Sequence, residues 1–370
     1  MALLPKTLRF WLFNTMSVKT MRYLEAVPRS KARGIAAEVY EQIEEDFFVN
    51  GSLTSRSKVP SLFAAIWMAG RETVLVSDEL TRTTKEALTA TLSSINDCPY
   101  CGDMMVSLIH AADRHDDAVQ ILSETEENIT DSLLRERLLW VRAVATPGAK
   151  PPTSTPFNME ELPEAIGSLM ALSDINRFSH IVMDGSPVNA PFGLQKIKEL
   201  ALRLFGSELK ATHVRPLAPG CALKYLPDAE LPVDMQWAKS NPRIARTVSQ
   251  WAATIESEAG NVIPERTRQV VHDSLKQWQG EQMPMGRSWV EQEIDSLKGN
   301  DQAIARLALV LAKASYQTDD KLVKEVLKYN SEQEQFLRIL AWCSFTSARY
   351  VAARIAKLSN TPRAYLQMVA

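Results

Sequence analysis

The segment Asn96-Asp97-Cys98-Pro99-Tyr100-Cys101-Gly102 holds two of the chain's four cysteines, Cys98 and Cys101. The others are Cys221 and Cys343. Two thiols at this spacing serve as zinc ligands, as a redox-active pair, or as two small apolar side chains buried near each other. A structural zinc needs four donors converging within about 2.3 Å of one point. The nearby histidines, His110 and His115, lie further along what the apolar pattern reads as one helix. At about 1.5 Å per residue, Cys98 and His115 stand roughly 25 Å apart. No second Cys-x-x-Cys pair closes a site, so no metal is expected.

Redox chemistry suits the local sequence better. Asp97 reads as an N-cap, Pro99 suits a first helical turn, and the apolar repeat Met105, Leu108, Ile109, Ala112 follows. Both thiols would then sit at a helix N-terminus, where the dipole and unpaired N–H groups favour thiolate over thiol. A pair so placed can attack a peroxide or a disulfide and then close on itself. Two inert buried cysteines remain the alternative.

The rest of the chain must position these residues. Its 370 residues exceed one ordinary core, and at about 150 residues per domain they imply two or three. Hydrophobic residues at 45% and charged residues at 23% read as a globular protein. A net charge of -2 gives no electrostatic case for nucleic acid as partner. Scarce cysteine argues against a disulfide scaffold and for a reducing, cytoplasmic location. No apolar run approaches the roughly 20 residues that span a bilayer. No glycine-rich phosphate loop appears, so no nucleotide cofactor is expected. Residues 1–34 carry seven basic side chains against Glu25, with the cluster Phe10-Trp11-Leu12-Phe13. They read as a basic arm that docks its apolar side on its own protein.

Apolar positions recur at three- and four-residue steps over 35–47, 61–72, 80–95, 103–113, 133–146, 159–171 and 174–183. The same pattern covers 243–257, 264–279, 288–297, 301–314, 319–328 and 333–358. No alternating strands are evident, so the expected fold is all-α. Breaks fall at 147–156, 184–191 and around 206–233, and the last is the best domain boundary. The two sides of it look alike. Arg82-Thr83-Thr84-Lys85-Glu86 matches Arg266-Thr267-Arg268-Gln269-Val270, with Gly102 falling on Gly286, and Arg177-Phe178 matches Arg349-Tyr350. This predicts a tandem repeat of 35–206 and 207–370 in which Gln282, Met285 and Val270 replace Cys98, Cys101 and Glu86.

Glu86, eleven intervening residues and Cys98-Pro-Tyr-Cys101, preceded by Leu92-Ser93-Ser94-Ile95-Asn96, resemble the alkylhydroperoxidase D-like group of the carboxymuconolactone decarboxylase superfamily. The close match covers about residues 60–120. The resemblance implies two tandem helical domains of that type and thiol-dependent peroxidase or disulfide oxidoreductase activity. Cys101 would attack the peroxide, and Cys98 would resolve the sulfenic acid into a disulfide that an external dithiol reductant reopens. Glu86 would accept or relay the thiol proton, a role open to a carboxylate with raised pKa in apolar surroundings. Without that spacing it would read as an exposed glutamate beside Lys85. The resemblance also implies a homotrimer with a pseudo-hexameric arrangement of repeats; a closed monomeric pseudo-dimer is the alternative.

The departure lies four residues beyond Cys101, where the family pattern has histidine and this chain has Met105. A thioether carries no proton. His110 lies about 13 Å further along the axis on another face, where a structural role is expected. Glu86 acting through water, or a residue from another helix, could fill the gap. Two other readings remain: a non-enzymatic scaffold or redox-responsive binding protein, and a lactone decarboxylase, a branch that does not use Cys-x-x-Cys. The tryptophans of the second half and Cys343 read as core.

Overall fold

The computed structural model describes residues 21–186, 188 and 195–359. Among them are fifteen α-helices and no strand, apart from an isolated antiparallel bridge between Met21 and Met183. The first half comprises α1 (Ile35–Asp46), α2 (Gly51–Thr54), α3 (Pro60–Gly70), α4 (Arg82–Ile95), α5 (Pro99–Ala111), α6 (His115–Leu122), α7 (Ser132–Ala145), α8 (Leu162–Val182) and α9 (Gln195–His213). The second comprises α10 (Pro242–Gly260), α11 (Glu265–Gln277), α12 (Ser288–Glu293), α13 (Gly299–Lys313), α14 (Asp320–Leu327) and α15 (Gln333–Leu358). None is long and apolar enough to cross a membrane. The all-α expectation therefore holds. Most of the basic arm lies outside the described residues.

Helices α8 and α15 pack along each other at the centre. Almost every residue of α8 is buried, including Ser173, Asp174, Asn176 and Arg177. A helix covered on all sides shows no single apolar stripe. That is why the pattern reads as two segments, 159–171 and 174–183, where one continuous helix forms. Around this pair, α3 packs on α10, α4 lies against α5, α7 and α8, and α13 packs on α11 and α15.

Polar ties join the two halves. Arg177 Nε donates to Leu311 O at 3.1 Å near the end of α13, and Arg354 donates to Val144 O at 2.9 Å near the end of α7. Each guanidinium sits where a helix leaves carbonyls without intrahelical partners and the dipole is negative. Trp251 and Trp342 are buried core residues, as expected of them.

Helix α9 departs from the expected pattern. Residues 206–213, read as the start of a break, are its last two turns. Leu202, Phe205, Gly206, Leu209 and His213 form its buried stripe at three- and four-residue steps. Gly206 is required where α9 crosses α5. A Cβ there would lie 2.4 Å from Ser107 O and 2.8 Å from His110 Cβ. Lys198 to Asp103 at 2.8 Å and Lys210 to Asp113 at 2.6 Å fix the register of the two helices.

Candidate active site

The turn between α4 and α5 positions both thiols. Asp97 N–H donates to Ser94 O at 3.0 Å and Cys98 N–H to Ser93 O at 2.9 Å. These are the two hydrogen bonds of a Schellman cap, with Asp97 at φ 52° in the left-handed position usual for glycine. The same turn starts the next helix. Its N-cap is Cys98 rather than the expected Asp97, and Pro99 takes the first helical position. Cys101 follows at the third, inside the first turn.

Cys98 Sγ and Cys101 Sγ are 2.7 Å apart, and both residues are buried. Either thiol can donate in this contact. Burial pushes the Cys98 thiol well above its ordinary value, and the hydrogen bond to Cys101 adds to the shift.

The two cysteines line different cavities. Cys101 lines an apolar one with Phe47, Trp67, Leu75, Met105 and Ile175. Cys98 lines a polar one with Arg22, Ser179, Asp184 and Asp320. Tyr100 belongs to both walls.

A buried cation stands behind Cys101. Arg56 donates to Ser52 O at 2.8 Å and to Asp174 Oδ2 at 3.0 Å, and its guanidinium lies 3.5 Å from the Phe178 ring centroid. Burial lowers its pKa to about 10, opposed by its electrostatic interactions with Asp174 and with Cys101. It therefore stays protonated at neutral pH, within electrostatic reach of the thiol. Burial raises the Asp174 carboxyl against the pull of Arg56, and its other oxygen accepts from Ser344 of α15. The second half of the chain thus buttresses the site.

Glu86 is fully buried, not the exposed residue its neighbour Lys85 could suggest. Lys85 is itself buried, with its ammonium 2.6 Å from Glu164. Glu86 Oε1 accepts from Arg82 Nε at 2.8 Å, and Oε2 lies 2.7 Å from His213 Nε2. Because α5 packs back along α4, helix rise puts Glu86 level with the middle of α5, about 10 Å along the axis from Cys101. Met105 lies between these levels, in the wall of the apolar cavity.

The sequence brings Cys98 and Cys101 together as expected and buries Glu86, but Glu86 does not touch either thiol. Arg56 and His213 were not anticipated. The apolar stripe of α9 carries the signal for His213; Arg56 has no motif around it. His110 faces His115 instead, Nδ1 to Nδ1 at 3.0 Å. Cys343 is buried and its thiol pKa is pushed up by burial, whereas Cys221 is exposed.

The chain is 28% identical over 340 residues to an alkyl hydroperoxide reductase of Mycobacterium tuberculosis. The match covers 91% of this chain and 96% of that protein. No protein-family model matches the chain. A relative named for hydroperoxide reduction agrees, at a coarse level, with the alkylhydroperoxidase D-like resemblance of residues 60–120, and it extends the similarity through the half that lacks the cysteine pair.

Proposed function

We propose that this chain is a thiol-dependent peroxidase that reduces organic hydroperoxides with Cys101 and Cys98. The observation that carries the reading is the sulfur pair at 2.7 Å, next to an apolar cavity that Cys101 lines. The name of the Mycobacterium relative supports the same class of substrate. In this reading the Cys101 thiolate attacks the terminal peroxide oxygen. The O–O bond breaks, an S–O bond forms, and the departing alkoxide takes a proton to leave as an alcohol. Cys98 then attacks the sulfenic sulfur, water leaves, and a disulfide joins the two residues. An external dithiol returns the two electrons.

Arg56 holds the thiolate form of Cys101 by charge, as a cation beside a thiol does. The buried Glu86–His213 pair is the proton relay, reaching Cys101 through water. The apolar lining favours organic hydroperoxides over hydrogen peroxide. Residues 35–206 and 207–370 are the two repeats, the second serving as packing partner, and the assembly is a homotrimer of the 41.4 kDa chain. Light scattering reads that mass directly.

Single-turnover mixing with cumene hydroperoxide tests the chemistry. Cys101→Ser abolishes peroxide consumption, and Cys98→Ser consumes one equivalent and leaves a sulfenic acid that dimedone traps. A Cys98→Ser variant that turns over normally with a dithiol would overturn the assigned roles. Undiminished consumption by Cys101→Ser would overturn the activity itself.

A further inference from the structure

The polar cavity beside Cys98 is unlike the apolar one beside Cys101. Elements far apart in sequence build it: Arg22, the turn at Asp97, Ser179 and Asp184 around the end of α8, and Thr318 to Asp320 leading into α14. Asp97, Asp184, Asp319 and Asp320 are exposed at its rim. Two of these are paired, Asp320 with Arg22 and Asp319 with Arg287 at 2.6 Å. Asp97 and Asp184 have no ion-pair partner among the described residues. Ser179 is 1% exposed, and its Oγ finds no hydrogen-bond partner; Thr318 is half-buried, with its Oγ1 likewise unpartnered. Buried hydroxyls left unpaired are uncommon and cost stability unless something binds them.

We infer that this cavity is where a small neutral or cationic thiol reductant attacks the oxidised pair, with the second half of the chain supplying one wall. The inference rests on the thiol-peroxidase reading. The reductant's thiolate enters the cavity that Cys98 lines and attacks Cys98 Sγ, and the Cys98–Cys101 bond breaks. Cys101 leaves as the thiolate, on the side where Arg56 lies. A second thiol attacks the mixed disulfide, Cys98 is released with a proton, and the reductant departs as its disulfide, two electrons lighter. The unpaired hydroxyls of Ser179 and Thr318 supply hydrogen bonds to the polar groups of the incoming molecule. Asp97 and Asp184 repel an anionic thiol and attract a cationic one.

The experiment separates this from the parent reading by oxidising the full chain with diamide, so that no hydroperoxide is involved. Reduction is then followed with cysteamine, 2-mercaptoethanol and 3-mercaptopropionate at equal thiolate concentration. The expected order is cation, neutral, anion, with a cation-to-anion ratio of about five- to tenfold at low salt that shrinks as salt is added. The double variant Asp97→Asn, Asp184→Asn brings the ratio close to one, and Thr318→Phe slows all three reductants several-fold in a chain with unchanged circular dichroism. Equal rates for the three thiols, a ratio untouched by the double variant, or unaltered reduction of Thr318→Phe would each overturn the assignment. If diamide forms no bond between Cys98 and Cys101, the peroxidase reading fails first, and this site with it.

Discussion

His213 Nε2 lies 2.7 Å from Glu86 Oε2, joining the last turn of α9 to a carboxylate buried in α4. Arg82 holds the other carboxylate oxygen, so Glu86 spends both of its oxygens on cationic or N–H partners. An acid so held is far from idle packing, yet it stands about 10 Å along the helix axis from Cys101. Met105 occupies the intervening wall.

If the gap at Met105 limits proton transfer, Met105→His raises the single-turnover rate with cumene hydroperoxide by about 10²-fold, the low end of general acid–base contributions. The gain disappears in the double variant with Glu86→Gln. An unchanged rate in a well-folded Met105→His chain would show that the existing groups already carry the proton. Thermal melts accompany the kinetics, because Glu86→Gln leaves the Arg82 guanidinium without its buried counter-charge.

The helices and the thiol pair were legible because each is written locally, in periodicity and in a seven-residue turn. Asp97 was misplaced by one position, since a residue that closes one helix and one that opens the next share the same few atoms. Arg56 was not legible at all. Charged residues read as surface, and its partner Asp174 is 118 residues away. His213 was hidden by its setting: the Pro- and Gly-rich run after it drew the expected break back to 206, into the helix. Its buried stripe, from Leu202 through Phe205 and Leu209, was present in the sequence all along.

Arg56→Met removes the cation behind Cys101. The pH at which Cys101 is half-alkylated by iodoacetamide is expected to rise by about one unit, within the range an adjacent opposite charge produces. Arg56→Lys restores part of that shift. Loss of the pair leaves Asp174 buried and unpaired, at a cost of about 3–5 kcal/mol, so Asp174→Asn is combined with Arg56→Met to recover a folded chain. An alkylation profile identical to the parent's in that double variant would remove Arg56 from the chemistry.

Gly206→Ala tests the crossing of α9 over α5. The added methyl meets Ser107 O and His110 Cβ at under 3 Å, and the helices must separate. Stability should fall by about 1–3 kcal/mol, the usual range for overpacking. His213 retreats from Glu86 at the same time. A melting temperature equal to the parent's would mean that α9 shifts without strain.

His110 supplies one part of the pH dependence. It packs against His115, and burial, with the charges of His115 and Arg203, lowers its pKa from 6.5 to about 4. The unfolded chain therefore binds a proton at His110 that the folded chain refuses across that window. Stability from this residue is complete above about pH 6.5 and falls as the pH drops toward 4. Denaturant melts at pH 7, 5.5 and 4.5 read the slope. His110→Leu removes the titrating group, and its stability should decline less over the same range, even where its value at pH 7 is lower. Carboxylates elsewhere contribute their own acid losses to both chains, so the comparison between the two slopes carries the result. Equal slopes would show that the imidazole is protonated as readily in the folded chain as in the unfolded one.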